Sequence, residues 1–167
     1  MNEDNTDLAD DAKVAFFNYA LNTLSSRVDV TCNGTIVSTP SDTYPYKAFL
    51  EKELTFSKSA KKTQFQRELY ASDIAGRLDK IDIAGPHVNT GFNSRRKACE
   101  KSNLLTLRGS LHLNILMQER LLLNRVGLRI KLSRSKLTFC LHGHANCKVK
   151  ITKATFHISQ VDIAPGI

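Results

Sequence analysis

Hydrophobic and polar positions alternate strictly over much of the second half of the chain. Leu105, Leu107, Gly109, Leu111, Leu113 and Ile115 alternate with Thr106, Arg108, Ser110, His112 and Asn114. A period of two predicts a long half-buried strand, bent at Gly109. Met117 to Arg120 reads as a connection. Leu128, Ile130 and Leu132 then alternate with Arg129, Lys131 and Ser133, and a turn follows over Ser133 to Lys136. Leu137, Phe139 and Leu141 predict the next strand, and His142 to Asn146 a further turn. Cys147, Val149 and Ile151 share one side, but after Thr152 the phase moves to Ala154, Phe156 and Ile158, as a β-bulge would move it. Val161 and Ile163 continue the apolar pattern. Four or more antiparallel strands with one buried face predict a sandwich or barrel.

The first half is mixed. Val14, Phe17, Ala20, Leu21 and Leu24 fall at roughly helical spacing, which suits a helix or a turn-rich entry segment. Val28, Val30 and Cys32 alternate with Asp29 and Thr31, and Asn33-Gly34 then leads into Thr35-Ile36-Val37. Asn-Gly between two such runs predicts a hairpin with a type I′ turn, whose central residues both need positive φ. Asn33-Gly34-Thr35 also fits the N-glycosylation acceptor pattern, but with no secretory signal it reads as a turn. Pro40 to Thr43 reads as a loop. Tyr46, Phe49, Leu50 and Leu54 are helically spaced after Pro45, a residue that suits a helix start. Ser57 is placed to cap a second short helix running to Leu69. Residues 71–103, broken by Gly76, Gly85-Pro86 and Gly91, predict a long surface loop. No internal repeat is present.

Composition bounds the class. The 167 residues suit one domain; 41% hydrophobic and 24% charged are ordinary for a globular chain. No apolar run approaches the roughly 20 residues of a membrane helix, so no membrane is expected as a partner. The first residues are acidic and resemble neither a signal nor a transit peptide. The four cysteines (Cys32, Cys99, Cys140 and Cys147) therefore read as free thiols. Charge is uneven: Glu3, Asp4, Asp7, Asp10 and Asp11 all precede Lys13, the first basic residue. Without those five acids the 24 basic groups face 11 acidic ones, leaving +13 on the body. Residues 1–12 thus read as an acidic flexible tail on a single basic domain, residues 13–167. Weak or non-specific nucleic-acid contact fits that balance, and so does a plain solvated surface.

Few residues suggest chemistry. Cys140-x-His142-x-His144-x-x-Cys147 sets four candidate zinc ligands in eight residues. The spacing is not that of a usual zinc site, and a polar turn between two strands accounts for it. No G-x-S-x-G elbow, phosphate-binding glycine loop or cysteine-protease signature occurs. Asp79 and Asp82 flank Lys80 in a loop, where solvated charge is the ordinary reading. His112 lies on the polar side of the Leu105–Ile115 alternation. Arg95-Arg96-Lys97, and Arg129, Lys131, Arg134 and Lys136, could meet phosphates. Basic residues on a strand also guard its edge against pairing. The expectation is no enzyme, no cofactor and no catalytic residue.

Several segments together resemble one family. They are Val28-Asp29-Val30 with Cys32-Asn33-Gly34-Thr35, Tyr44-Pro45-Tyr46-Lys47-Ala48-Phe49-Leu50-Glu51, and Leu111-His112-Leu113-Asn114-Ile115 with Glu119-Arg120-Leu121-Leu122-Leu123-Asn124-Arg125-Val126. Leu128-Arg129-Ile130-Lys131-Leu132-Ser133-Arg134-Ser135 follows, and Val161-Asp162-Ile163-Ala164-Pro165-Gly166-Ile167 closes the set. Their order and spacing resemble the N-terminal jelly roll of Polinton (Maverick) double jelly-roll major capsid proteins, over residues 14–167. The resemblance implies a mainly β fold, an antiparallel jelly-roll sandwich with short helices in the connections. It implies a structural role with no catalytic residues, in which trimeric capsomers tile a virion or virus-like particle. The implied partners are copies of the chain, as homotrimer and capsid neighbours, together with a minor capsid protein. The implied setting is the cytoplasm or nucleus of the host cell of a transposable element. The family carries a second jelly roll, and a chain without it would leave an apolar face open to association. Two positions depart from the pattern: Cys32 stands where an aliphatic residue is usual, and Arg125 where an Asn-Gly turn has glycine.

Overall fold

Asn33 and Gly34 take φ of 48° and 88°, the positive pair that a type I′ turn requires, and around them the larger sheet is built. A computed structural model describes residues 1–39, 41–143 and 146–161. Along the chain its elements are β1 (Val14–Phe16), α1 (Ala20–Thr23), β2 (Ser25–Cys32), β3 (Thr35–Ile36), α2 (Tyr44–Thr55) and α3 (Lys58–Thr63). They continue with α4 (Thr90–Cys99), β4 (Leu128–Arg134), α5 (Leu137–Cys140) and β5 (Leu141–Gly143). Short 3-10 turns lie at Phe65–Glu68 and Glu100–Ser102.

The strands form two antiparallel sheets. One has the order β3-β2-β4, with Cys32 opposite Thr35 on one side and Val30 opposite Ile130 on the other. Its register slips between Ser25 and Arg27, a bulge at the start of β2. The Asn33 side chain prolongs this ladder past the strand. Asn33 N donates to the Gly127 carbonyl at 2.9 Å and Gly127 N donates back to Asn33 Oδ1 at 2.7 Å. The second sheet pairs β1 with β5, Ala15 opposite His142.

Two small apolar clusters hold these parts. Val28, Tyr44 and Ala48 are buried together, with Leu111, Leu113 and Ile130 packed on them, so β2, α2 and the 111–113 segment share a core. Leu8, Val14 and Cys147 form the other, with Ala12 and Leu141. Residues 1–12 lie against the body: Lys148 N donates to the Met1 carbonyl at 2.9 Å, and Leu8 N to Ser102 Oγ at 2.9 Å.

The antiparallel strands and short connecting helices stand as expected, but helix, at 27%, exceeds strand, at 16%. The two sheets do not make a clear jelly roll. The difference lies in particular segments. Residues 104–115 keep part of their alternation as burial: Leu105, Leu107, Leu111 and Leu113 are half-buried and Thr106, Arg108, Ser110 and Asn114 exposed, but His112, expected on the polar side, is buried. They do not form a strand, because among the described residues no neighbouring strand offers a ladder; Arg108 N donates to the Arg67 carbonyl, at 2.9 Å. Residues 147–158, expected as strand with a bulge, keep only an isolated antiparallel bridge of Cys147 to Asn2, and Ile151, Phe156 and Ile158 are exposed. The expected strand over Leu137–Leu141 begins as a helical turn that buries Cys140. The segment Val14–Leu24, read as a helix or a turn-rich entry, splits into β1 and the short α1. Residues 71–103 are not all loop. Asn89 caps α4, whose Phe92, Arg95, Arg96 and Cys99 face inward at helical spacing.

Candidate functional site

α2 has two faces. Tyr44, Ala48 and Lys52 recur every fourth residue and point inward, so a lysine follows a tyrosine and an alanine into the core. Lys52 is wholly buried. Its Nζ meets Glu68 Oε2 and Asn22 Oδ1, the latter at 2.5 Å. The ammonium also sits 4.8 Å from the ring centre of Tyr19 and 5.3 Å from that of Phe65. Two aromatic faces, a carboxylate and an amide thus replace its water. Burial pushes the Lys52 ammonium below the usual lysine range, while Glu68 pulls the other way.

The network extends from this pair on both sides. Asn22 Nδ2 donates to Tyr44 Oη at 2.8 Å, and Tyr44 Oη accepts from His112 N at 3.4 Å. His112 Nδ1 lies 2.8 Å from Glu51 Oε2. Burial lowers the His112 imidazole below its ordinary value, against an upward pull from Glu51. On the other side Tyr19 Oη donates to Glu53 Oε1 at 2.8 Å, and Lys61 Nζ donates to the other oxygen of that carboxylate. Burial, then Glu53, raises the Tyr19 phenol far above its ordinary value. Tyr19 itself stands at φ 59° and Leu69 at φ 63°, left-handed conformations that non-glycine residues avoid. Gly109 passes close to Glu68: a Cβ there would collide with the Glu68 carboxylate, which Lys52 holds in place.

The chemistry available here is limited by access. Two of the surface depressions lie near α2 and near Arg95. One, of about 490 Å³, runs along the outer face of α2 beside Tyr46, Leu50 and Leu54. The other, of about 400 Å³, lies between Lys62, Gln66, Tyr70, Ser72 and Ser94, with Arg95 at its base. Neither is lined by Lys52 or Glu68. A buried lysine next to a carboxylate could serve as base or nucleophile in an open cleft. Sealed in this way, the pair fixes how α1, α2 and the 65–68 turn sit together.

Arg95 and Arg96, expected as part of an exposed basic run, are buried and structural. Arg95 Nε donates to the Phe16 carbonyl at 2.9 Å, Nη1 to Asn18 Oδ1 and the Ala71 carbonyl, and Nη2 to Asp73 Oδ1 at 2.9 Å. Arg96 Nη1 holds the Asp10 carbonyl at 2.6 Å. Lys97 stays exposed. Asp79 and Asp82 are exposed and do not form a paired-carboxylate site; Asp82 lies 3.6 Å from Lys13 Nζ. Arg129, Lys131, Arg134 and Lys136 are all exposed.

The four candidate zinc ligands are held apart as far as they are described. Cys140 Sγ donates to the Thr23 carbonyl at 3.2 Å, in the interior. His142 stacks on Phe17 with ring centres 5.2 Å apart and packs edge-on against Phe92. Cys147 is buried on Leu8 and Val14. His144 lies outside the described residues. Among the described residues no three His, Cys, Asp or Glu side chains converge. Burial raises the Cys140 and Cys147 thiols, away from the thiolate that a metal binds.

Lys52, Glu68, Asn22 and Tyr19 do not stand out in the sequence. The available signal was the phase of Lys52, four residues after Ala48 and eight after Tyr44. No family model, no curated protein and no solved structure matches this chain.

Proposed function

We propose that the chain is a structural subunit that self-associates, of the capsid kind that the resemblance implies, and that its two antiparallel sheets are part of a jelly roll completed in the assembly. One observation carries the reading. The chain has an accessible surface of 11776 Å². A compact monomer of 18.7 kDa exposes about 8,300 Å² by the usual scaling with mass. The excess, about 3,500 Å², is several times the ~800 Å² that each partner gives to a standard interface. Apolar side chains contribute to it: Leu54, Leu104 and Leu123 are 83%, 80% and 82% exposed. Strand-patterned segments without a ladder, 104–115 and 147–158, are what a subunit presents before neighbours supply the missing edges. The sealed Lys52 centre fits a rigid building block better than a catalyst.

Negative-stain electron microscopy of the concentrated full chain tests the reading. Trimers or larger regular particles are the expected result. A field of monomers at every concentration and salt would remove it. The alternative, a basic nucleic-acid-binding β-domain, is favoured by one observation, the exposed Arg129, Lys131, Arg134 and Lys136 on and just beyond β4. It predicts tight binding to a short DNA or RNA duplex that weakens steeply with salt. The capsid reading predicts only weak, non-specific binding in the same titration.

A further inference from the structure

We infer that the outer face of α2 is a two-fold interface, and that the second copy of this chain places its own α2 there. This rests on the self-association reading and names the surface. The inward face of the helix is used up by Tyr44, Ala48 and Lys52. The opposite face carries Tyr46, Leu50 and Leu54, which are 58%, 55% and 83% exposed, with Phe49 beside them. Residues four apart form a ridge, and such ridges pack between the side chains of a facing helix. The ridge borders the depression of about 490 Å³, whose rim is Thr43, Lys47, Glu51 and Thr55. The ring of Phe139 in α5 flanks it, 5.3 Å from that of Tyr46.

Charge selects the occupant. On a helix of 100° per residue, Lys47 and Glu51 lie on the same flank of the Leu50 ridge. A two-fold axis passing at Leu50 turns a second α2 antiparallel to the first. It brings Glu51 of each copy to the flank occupied by Lys47 of the other, offset along the axis by about 3 Å. The face is therefore complementary to itself: apolar along the ridge, with opposite charges exchanged at the edge. Within one chain Lys47 Nζ lies 3.5 Å from Glu51 Oε1 and donates to Asn114 Oδ1, and Glu51 Oε2 meets His112 Nδ1; both side chains remain partly exposed, so the contact with the other copy is made in addition to these bonds. The excess surface is ample for such a contact and for others in a larger assembly.

Sedimentation equilibrium on the full chain tests this, with circular dichroism to confirm that each variant folds. Leu50→Asp alters an exposed side chain and should weaken association about tenfold or more, as loss of a central interface residue does. Lys47→Glu and Glu51→Lys should each weaken it, because each sets like charges against one another across the axis. An equimolar mixture of those two variants should regain wild-type affinity, since every cross-axis pair is again opposite. The altered pairs within each chain are unchanged by mixing, so a purely structural effect gives no rescue. If the wild-type chain associates while Leu50→Asp associates equally well, or the mixture stays weak, the α2 interface is wrong and self-association uses another surface. If the wild-type chain stays monomeric, the self-association reading fails with it.

Discussion

Lys52 and Glu68 are worth most at the scale of single residues. Replacing Lys52 by methionine leaves the Glu68 carboxylate buried without its cation, which should cost about 3–5 kcal/mol. The double variant Lys52→Met, Glu68→Leu removes both charges and should recover most of that loss. Urea unfolding of the three proteins decides it. A double variant as unstable as the single one would mean that the pair does not act as a unit. Arg125 makes a smaller case. It stands at φ 65°, and its left-handed backbone is strained. Arg125→Gly should raise stability by about 0.5–1 kcal/mol, the relief of strain exceeding the added chain entropy. A calorimetric Tm below that of the wild type would contradict it.

His112 and His142 give stability a pH dependence with a definite sign. Burial lowers both imidazoles below the ordinary value of 6.5. The unfolded chain therefore takes up protons first as pH falls. Stability contributed by the neutral rings is present above 6.5, is lost as pH falls below it, and levels off once the folded imidazoles are protonated too. Thermal unfolding from pH 8 to pH 5 should show a falling Tm, with a shallower slope in His112→Gln. An unchanged slope in that variant would exclude His112 from the effect.

Elements were legible where a local device fixes them. Asn33-Gly34 gave the β2–β3 turn, Pro45 marked the start of α2, and Ser57 accepts from Ala60 N at 3.3 Å as the cap of α3. α4 was hidden because its inward face reads Phe92, Arg95, Arg96 and Cys99, with two arginines where apolar residues would have revealed the period. Its cap, Asn89, is fully buried and does three jobs. Asn89 Oδ1 accepts from Gly91 N at 3.1 Å and Ile74 N at 3.3 Å, and Nδ2 donates to Asp73 Oδ1 at 2.9 Å. Asn89→Ala should therefore lose about 2 kcal/mol or more, above the ~1 kcal/mol of an ordinary cap. Chemical denaturation measures it; a loss under 0.5 kcal/mol, by comparison with the usual cap value, would show that water replaces these bonds. The strands over 104–115 and 147–158 failed for the opposite reason. Alternation fixes which side chains turn inward, but a strand also needs an edge to pair with, and that partner is not written in its own residues. The Lys52 centre was missed because its four main residues come from segments up to 49 positions apart, Tyr19 to Glu68.

At the scale of the whole molecule, small apolar clusters and the buried polar networks around Lys52 and Arg95 hold a chain whose outer surface is too large for its mass. The α2 ridge, Ile151, Phe156 and Ile158 all face outward. An isolated chain with such a surface tends to aggregate; a subunit with the same surface assembles. Sedimentation velocity over a hundredfold range of concentration separates the two most directly. A defined oligomer that dissociates reversibly on dilution is the predicted result. A single monomeric boundary throughout would contradict it, and so would a continuous spread of ever larger aggregates that does not reverse on dilution.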